Sequence, residues 1–165
     1  MSNNRHAFYI YWYALYADSV KDLSFSLPSF AKINLVLRVL GRREDGFHEI
    51  VTLLQTISLQ DTLSFEPLDD GVELACNDPN IPLDENNLIV KAARALQDEL
   101  GTNKGAKIGL EKSIPMGGGL GGGSSNAAVT LIGVSRLWSL QISAEKLKGV
   151  AASLGSDVPF LLHGG

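Results

Sequence analysis

"PMGGGLGGGSSNAA", residues 115–128, is the stretch on which the fold turns, since six of the eleven residues from Pro115 to Ser125 are glycine. Two readings compete: a flexible linker, or a loop whose bare backbone wraps an anion. The neighbours decide between them. Upstream, "AKIGLEKSI" (106–114) reads as a strand running straight into the glycines. Downstream, in "NAAVTLIGVSRLWSL", Ala127, Leu131, Val134 and Trp138 recur at helical spacing, and Ala128 and Ile132 broaden the stripe. That is the pattern of a mostly buried helix. Ser124 and Ser125 fall at its start, where hydroxyls serve as caps. A segment held between a strand and a buried helix is poorly placed to be a linker. A helix N-terminus offers unpaired N–H donors and the positive end of a dipole. Glycines ahead of it let successive N–H groups curl round a phosphate without obstruction. A phosphate loop is expected here.

Two familiar loop types fit poorly. A Walker A motif needs a lysine after its last glycine, and none follows Gly123. The G-x-G-x-x-G fingerprint matches so glycine-rich a stretch trivially and carries no information.

Outward from the loop, the chain divides into strands first and helices second. In "AKINLVLRVL" (31–40), Ile33, Leu35, Leu37 and Val39 alternate with Lys32, Asn34, Val36 and Arg38, a period-2 strand that puts Lys32 and Asn34 on one face. "GRREDG" (41–46) reads as a turn. "FHEIVTLLQTISL" (47–59) stays ambiguous, because Ile50, Leu53, Leu54 and Ile57 also suit a helix. "DTLSFEPL" and "GVELACN" read as strands about a turn at "DDG". Residues 88–100 carry an apolar stripe of Leu88, Ile89, Ala92, Ala93, Leu96 and Leu100, with Asn86 or Asn87 to cap it and Gly101 to end it. A further helix is expected over 144–154, with Ser143 as cap and Gly155 as stop.

Composition narrows the class. The chain of 165 residues has room for one domain, and 45% hydrophobic with 19% charged residues is a globular balance. A net charge of −4 without a long Lys/Arg run disfavours a nucleic-acid partner. The single Cys76 cannot form an internal disulfide, which fits a reducing, cytoplasmic compartment. Three scattered histidines give no metal-site spacing, so no protein-borne metal site is expected. Residues 1–22 read as an atypical N-terminal extension. Their aromatic run "HAFYIYWYALYA" (6–17) is about half the length that spans a bilayer, and Leu15 and Ala17 make a poor cleavage site.

The loop also resembles the P-x-x-x-G-L-x-G-S-S-x-A segment of the galactokinase, homoserine, mevalonate and phosphomevalonate kinase superfamily. Two more stretches sharpen this. "PSFAKINLVLRVLGRREDGFHEI" (28–50) and "LGSDVPFLLHGG" (154–165) resemble the opening strand and turn, and the aspartate-bearing segment, of the 4-diphosphocytidyl-2-C-methyl-D-erythritol kinase family of isoprenoid synthesis. The three occur in that family's order over residues 23–165.

The resemblance implies an α+β domain of the ribosomal protein S5 domain 2-like fold, bearing ATP with Mg²⁺. It implies transfer of the γ-phosphoryl group to the 2-hydroxyl of the cytidine diphosphate methylerythritol substrate. Asp157 would be the base and Lys32 its cationic partner. Pro115, Met116, Gly117, Gly118, Gly119, Leu120, Gly121, Gly122, Gly123, Ser124 and Ser125 would hold the nucleotide. Asn34 would place the substrate hydroxyl, and Phe47 and His48 would meet the cytosine base. Phe47 departs from the tyrosine common in the family, keeping a ring to stack but losing a hydroxyl. The family's chains continue beyond "LLHGG" into a second domain, so residues 23–165 are expected to be the N-terminal kinase domain, inactive in isolation. Another kinase of the superfamily and a non-catalytic module of the same fold stand as alternatives.

Overall fold

The computed structural model describes residues 24–42, 44, 46 and 48–164, so the extension read over residues 1–22 lies outside the described residues. Strands β1 (Phe25–Arg42), β2 (His48–Leu68), β3 (Val72–Cys76) and β4 (Gly105–Glu111) form one sheet in the order β1-β2-β4-β3. β2 runs antiparallel to both β1 and β4, whereas β3 and β4 are parallel. A parallel pair needs a crossover, and helix α1 (Leu88–Leu100) supplies it. Helices α2 (Gly122–Leu137), α3 (Ala144–Leu154) and α4 (Val158–His163) follow. This is the expected α+β content.

The core explains the layering. Leu63 and Phe65 of β2, and Ala106, Ile108 and Leu110 of β4, are buried at every second position, so each set shares one face of the sheet. They pack in one cluster with Ile89, Ala93 and Leu96 of α1 and with Ala127, Leu131 and Val134 of α2. The helices therefore cover that face. α2 packs tightly on the sheet at Gly133, where a Cβ would overlap the Phe65 ring. Only glycine fits. Phe25 stacks on Phe65 with ring centroids 5.3 Å apart, and Trp138 Nε1 donates to Gly105 O at 2.8 Å to fix the end of α2.

Capping follows the sequence closely at α1 and α3. Asn87 Oδ1 accepts from Ile89 N at 2.9 Å, and Gly101 ends α1 in the left-handed conformation. Ser143 Oγ accepts from Lys146 N at 3.3 Å. The segment 47–59, which also suited a helix, is strand from His48 onward, because cross-strand pairing with β1 captures it.

Among the described residues, the distal half of that pairing has no layer beneath it. β4 pairs with β2 only over Thr62–Leu68, so among the described residues the remaining β1–β2 ribbon has two strands. Register shifts at Phe30/Lys32, Asn34/Val36 and Val39/Gly41 interrupt the alternation and bend the ribbon. Leu35, Leu37 and Val39 are 55%, 58% and 59% exposed. The period-2 pattern made a strand, but among the described residues nothing covers its apolar side chains.

Candidate functional site

The glycine loop leaves β4 at Glu111 and enters α2 at Gly122. Gly117, Gly119 and Gly121 have φ of 73°, 68° and 69°, so every second residue of this stretch is left-handed. Alternation of that kind turns successive N–H groups toward one side, forming an anion-binding nest. Helix α2 begins earlier than the sequence suggested, and its cap differs. Gly121 is the N-cap without a side-chain cap bond, and the two serines sit inside the first turn rather than at the cap. The first helical bond runs from Ser125 N to Gly121 O at 2.8 Å, so the N–H groups of Gly122, Gly123 and Ser124 precede it. They are the donors a phosphate would take.

The loop borders a cavity of about 360 Å³. Its peptide wall is Gly117–Gly123 with Ser124, and its apolar wall is Ile81, Leu88, Leu110 and Met116. One side suits an anion and the other a flat apolar group. Pro115 and Leu120 also line it, while Ser125 does not. Ser125 is buried, with its Oγ 2.9 Å from Ser29 Oγ.

Lys32 ties this loop to the far helix. Its backbone N–H donates to Leu120 O at 2.8 Å, clamping β1 to the glycines. A Cβ on Gly121 would lie 2.8 Å from Lys32 Cγ, so the loop rests on the lysine stem. The ammonium group then reaches Asp157 Oδ2 at 3.3 Å and Asn34 Oδ1 at 2.8 Å. Asn34 donates in turn to Thr52 Oγ1 at 2.8 Å, which holds its carbonyl toward Lys32. Lys32 is largely buried, whereas Asp157 is about one-third exposed. Asp157 sits at the N-cap position of α4 yet makes no side-chain cap bond, so its carboxylate serves Lys32 rather than the turn.

The other expected residues divide. Phe47 lies outside the described residues. His48 is exposed at the tip of the ribbon, paired with Arg42. It is eight residues along β2 from Thr56, the partner of Lys32, or roughly 25 Å of strand contour. The fold unites the glycine loop, Lys32, Asn34 and Asp157, and leaves His48 apart from them.

Four residues absent from the sequence reading complete the surroundings. Ser29, Asp61, Lys112 and Asn126 form a buried polar network behind the loop. Each is unremarkable in sequence, and only long-range contacts reveal them. No group of three or more His, Cys, Asp or Glu side chains gathers among the described residues.

Residues 87–165 match the model for the GHMP kinases N-terminal domain. Over 143 residues the chain is 50% identical to a 4-diphosphocytidyl-2-C-methyl-D-erythritol kinase of Prochlorococcus marinus, covering 85% of this chain and 45% of that protein. The enzyme of the same name from Shewanella woodyi is 48% identical over 144 residues, covering 87% of this chain and 51% of its own length. A crystal structure of 4-(cytidine 5'-diphospho)-2C-methyl-D-erythritol kinase superposes with a TM-score of 0.71 at 41% identity, covering 84% of this chain and 48% of that one. A homoserine kinase from Cytophaga hutchinsonii shares the fold, with a TM-score of 0.61 at 20% identity over 83% of this chain and 42% of its own. The chain spans about half the length of the curated relatives it matches.

Proposed function

We propose that this chain, a member of the GHMP kinase family, forms the nucleotide-binding N-terminal domain, residues 23–165, of an ATP-dependent 4-diphosphocytidyl-2-C-methyl-D-erythritol kinase. The fold name that goes with this reading is ribosomal protein S5 domain 2-like. The observation that carries it is Lys32, whose backbone holds the glycine loop while its side chain holds Asp157.

The chemistry follows from that geometry. The triphosphate lies in the glycine cradle, with the N–H groups of Gly122, Gly123 and Ser124 facing its oxygens. The adenine base takes the apolar wall of Ile81, Leu88 and Met116. Asp157 accepts the proton of the substrate 2-hydroxyl as that oxygen bonds to the γ-phosphorus, and the bond from phosphorus to the β–γ bridging oxygen breaks. ADP departs with the electron pair. Lys32 offsets negative charge as it develops. Asn34 holds the ammonium group on the substrate side.

Bound Mg²⁺ would neutralise charge on the nucleotide phosphates. With no carboxylate cluster at the cradle, the donors that fit the ion are phosphate oxygens and the half-buried Ser124 hydroxyl. His48 and Phe47 would meet the cytosine base.

Calorimetry and a coupled ADP-release assay test the reading. The 165-residue chain is expected to bind ATP but not turn over. Joined to the C-terminal half of a homologous kinase, it should release ADP only with the cytidine diphosphate substrate. Turnover with homoserine or mevalonate, or absence of ATP binding by the folded chain, would overturn it.

A further inference from the structure

We propose that Asp61 is the positioning residue of the glycine loop, a single buried carboxylate that pins both of its ends. This deepens the reading of the loop as a triphosphate cradle and rests on it. Asp61 lies in β2 and is fully buried. Its Oδ1 accepts from Ser113 N and Ile114 N, each at 2.7 Å, just where the chain leaves β4 for the glycines. Its Oδ2 accepts from Asn126 Nδ2 at 3.1 Å, in the first turns of α2 just beyond them. Lys112 Nζ closes the charge, 3.2 Å from Oδ1 and 3.0 Å from Oδ2, and also donates to Ile114 O.

The second arm of the network has a fixed direction. A hydroxyl has one proton, so Ser29 Oγ donates to Asn126 Oδ1 at 2.7 Å and receives the proton of Ser125 Oγ at 2.9 Å. Asn126 must then present its NH₂ to Asp61. Ser125, Ser29, Asn126 and Asp61 form one donor chain that ends on the carboxylate. β1, β2, the loop entry and helix α2 all converge on it.

The consequence concerns the segment between. Residues 115–125 are rich in glycine and have little intrinsic preference for one backbone path. A nest binds an anion well only if its N–H groups are held in place beforehand. Pinning residues 113, 114 and 126 to one point fixes the span the glycines must close. An amide at position 61 cannot do this. In Asp61→Asn one side-chain atom becomes a donor facing N–H and ammonium donors, and Lys112 loses its counter-charge inside the protein.

Two measurements on the whole 165-residue chain separate this from general stability. The first is hydrogen–deuterium exchange without ligand. In Asp61→Asn, amides of residues 112–126 should exchange at least tenfold faster, while those of α1 keep their wild-type rates. The second is binding of ATP against adenosine. ATP affinity should fall tenfold or more and adenosine affinity by less than twofold, because only the phosphates use the cradle. Should Asp61→Asn not fold, Ser29→Ala cuts the donor chain alone and should speed exchange only at residues 124–126. Unchanged exchange in the loop of either folded variant would overturn the proposal. Failure of the wild-type chain to bind ATP, with loop exchange still raised in Asp61→Asn, would overturn the kinase reading instead and leave the pinning role standing.

Discussion

Lys32 of β1 and Asp157, the N-cap of α4, meet at 3.3 Å between Nζ and Oδ2. Lys32 is largely buried and Asp157 about one-third exposed, so the carboxylate is reachable from solvent. In the chain joined to a homologous C-terminal half, Asp157→Asn keeps the shape but loses the proton acceptor. Turnover should fall by roughly 10²–10⁴ with KM nearly unchanged. Lys32→Met should lose a comparable factor through the missing charge. Steady-state kinetics decide it, and a variant with near-normal kcat would remove that residue from the chemistry.

Gly121 faces two obstacles to any side chain. Its φ is 69°, and a Cβ would press on Lys32 Cγ at 2.8 Å. Gly121→Val should therefore displace the lysine stem as well as the loop, abolishing measurable ATP binding by calorimetry. Circular dichroism should still report a folded domain, since the strain is local.

Two helix glycines should respond in opposite directions to alanine. A Cβ at Gly149, exposed in α3, meets nothing within 4 Å, so Gly149→Ala should stabilise by about 1 kcal/mol. At Gly133 the same change drives a methyl into the Phe65 ring and should cost about 1–3 kcal/mol. Urea unfolding curves give both values, and ATP affinity should not change in Gly149→Ala.

The bare ribbon predicts association. Leu35, Leu37, Val39 and Leu53 are each more than half exposed, on a stretch of ribbon that gains no third strand among the described residues. Exposed apolar side chains on an unpaired strand edge favour self-association. Sedimentation velocity should show concentration-dependent oligomers, and combined Leu35→Thr, Leu37→Thr and Val39→Thr substitution should shift the chain toward monomer.

Local signals were legible and distant ones were not. The apolar stripe, Asn87 cap and Gly101 stop of α1 all lie within one stretch, and the helix forms over the residues they mark. The pairing of Lys32 with Asn34 followed from a period of two, even though bulges bend the strand. α4 left no separate trace, because six residues beginning "VPF" carry too little periodicity. The serines read as caps lie inside α2, since glycine at 121 starts the helix sooner than a hydroxyl would. Asp61 stood in "SLQDTL" as an ordinary polar residue at a strand start. Its partners lie 51 to 65 positions away, and no local pattern encodes them. Likewise the exposed face of the ribbon looks the same in sequence as a buried one.

The clamp from Lys32 N to Leu120 O, with the donor chain from Ser125 through Ser29, also bears on how the chain is made. Ser29 and Lys32 leave the ribosome early, while Asn126 and Asp157 follow only on the order of ten seconds later at common elongation rates. During that interval both early side chains remain solvated, and no part of the cradle exists. It closes only when α2 docks on strands already formed, one event joining segments that lie 96 and 97 positions apart. Contacts so far apart in sequence form slowly. On the proposed reading, nucleotide capture is therefore a late reporter: a nascent chain that retains ATP has docked α2 on the sheet, and one that merely shows strand and helix content has not.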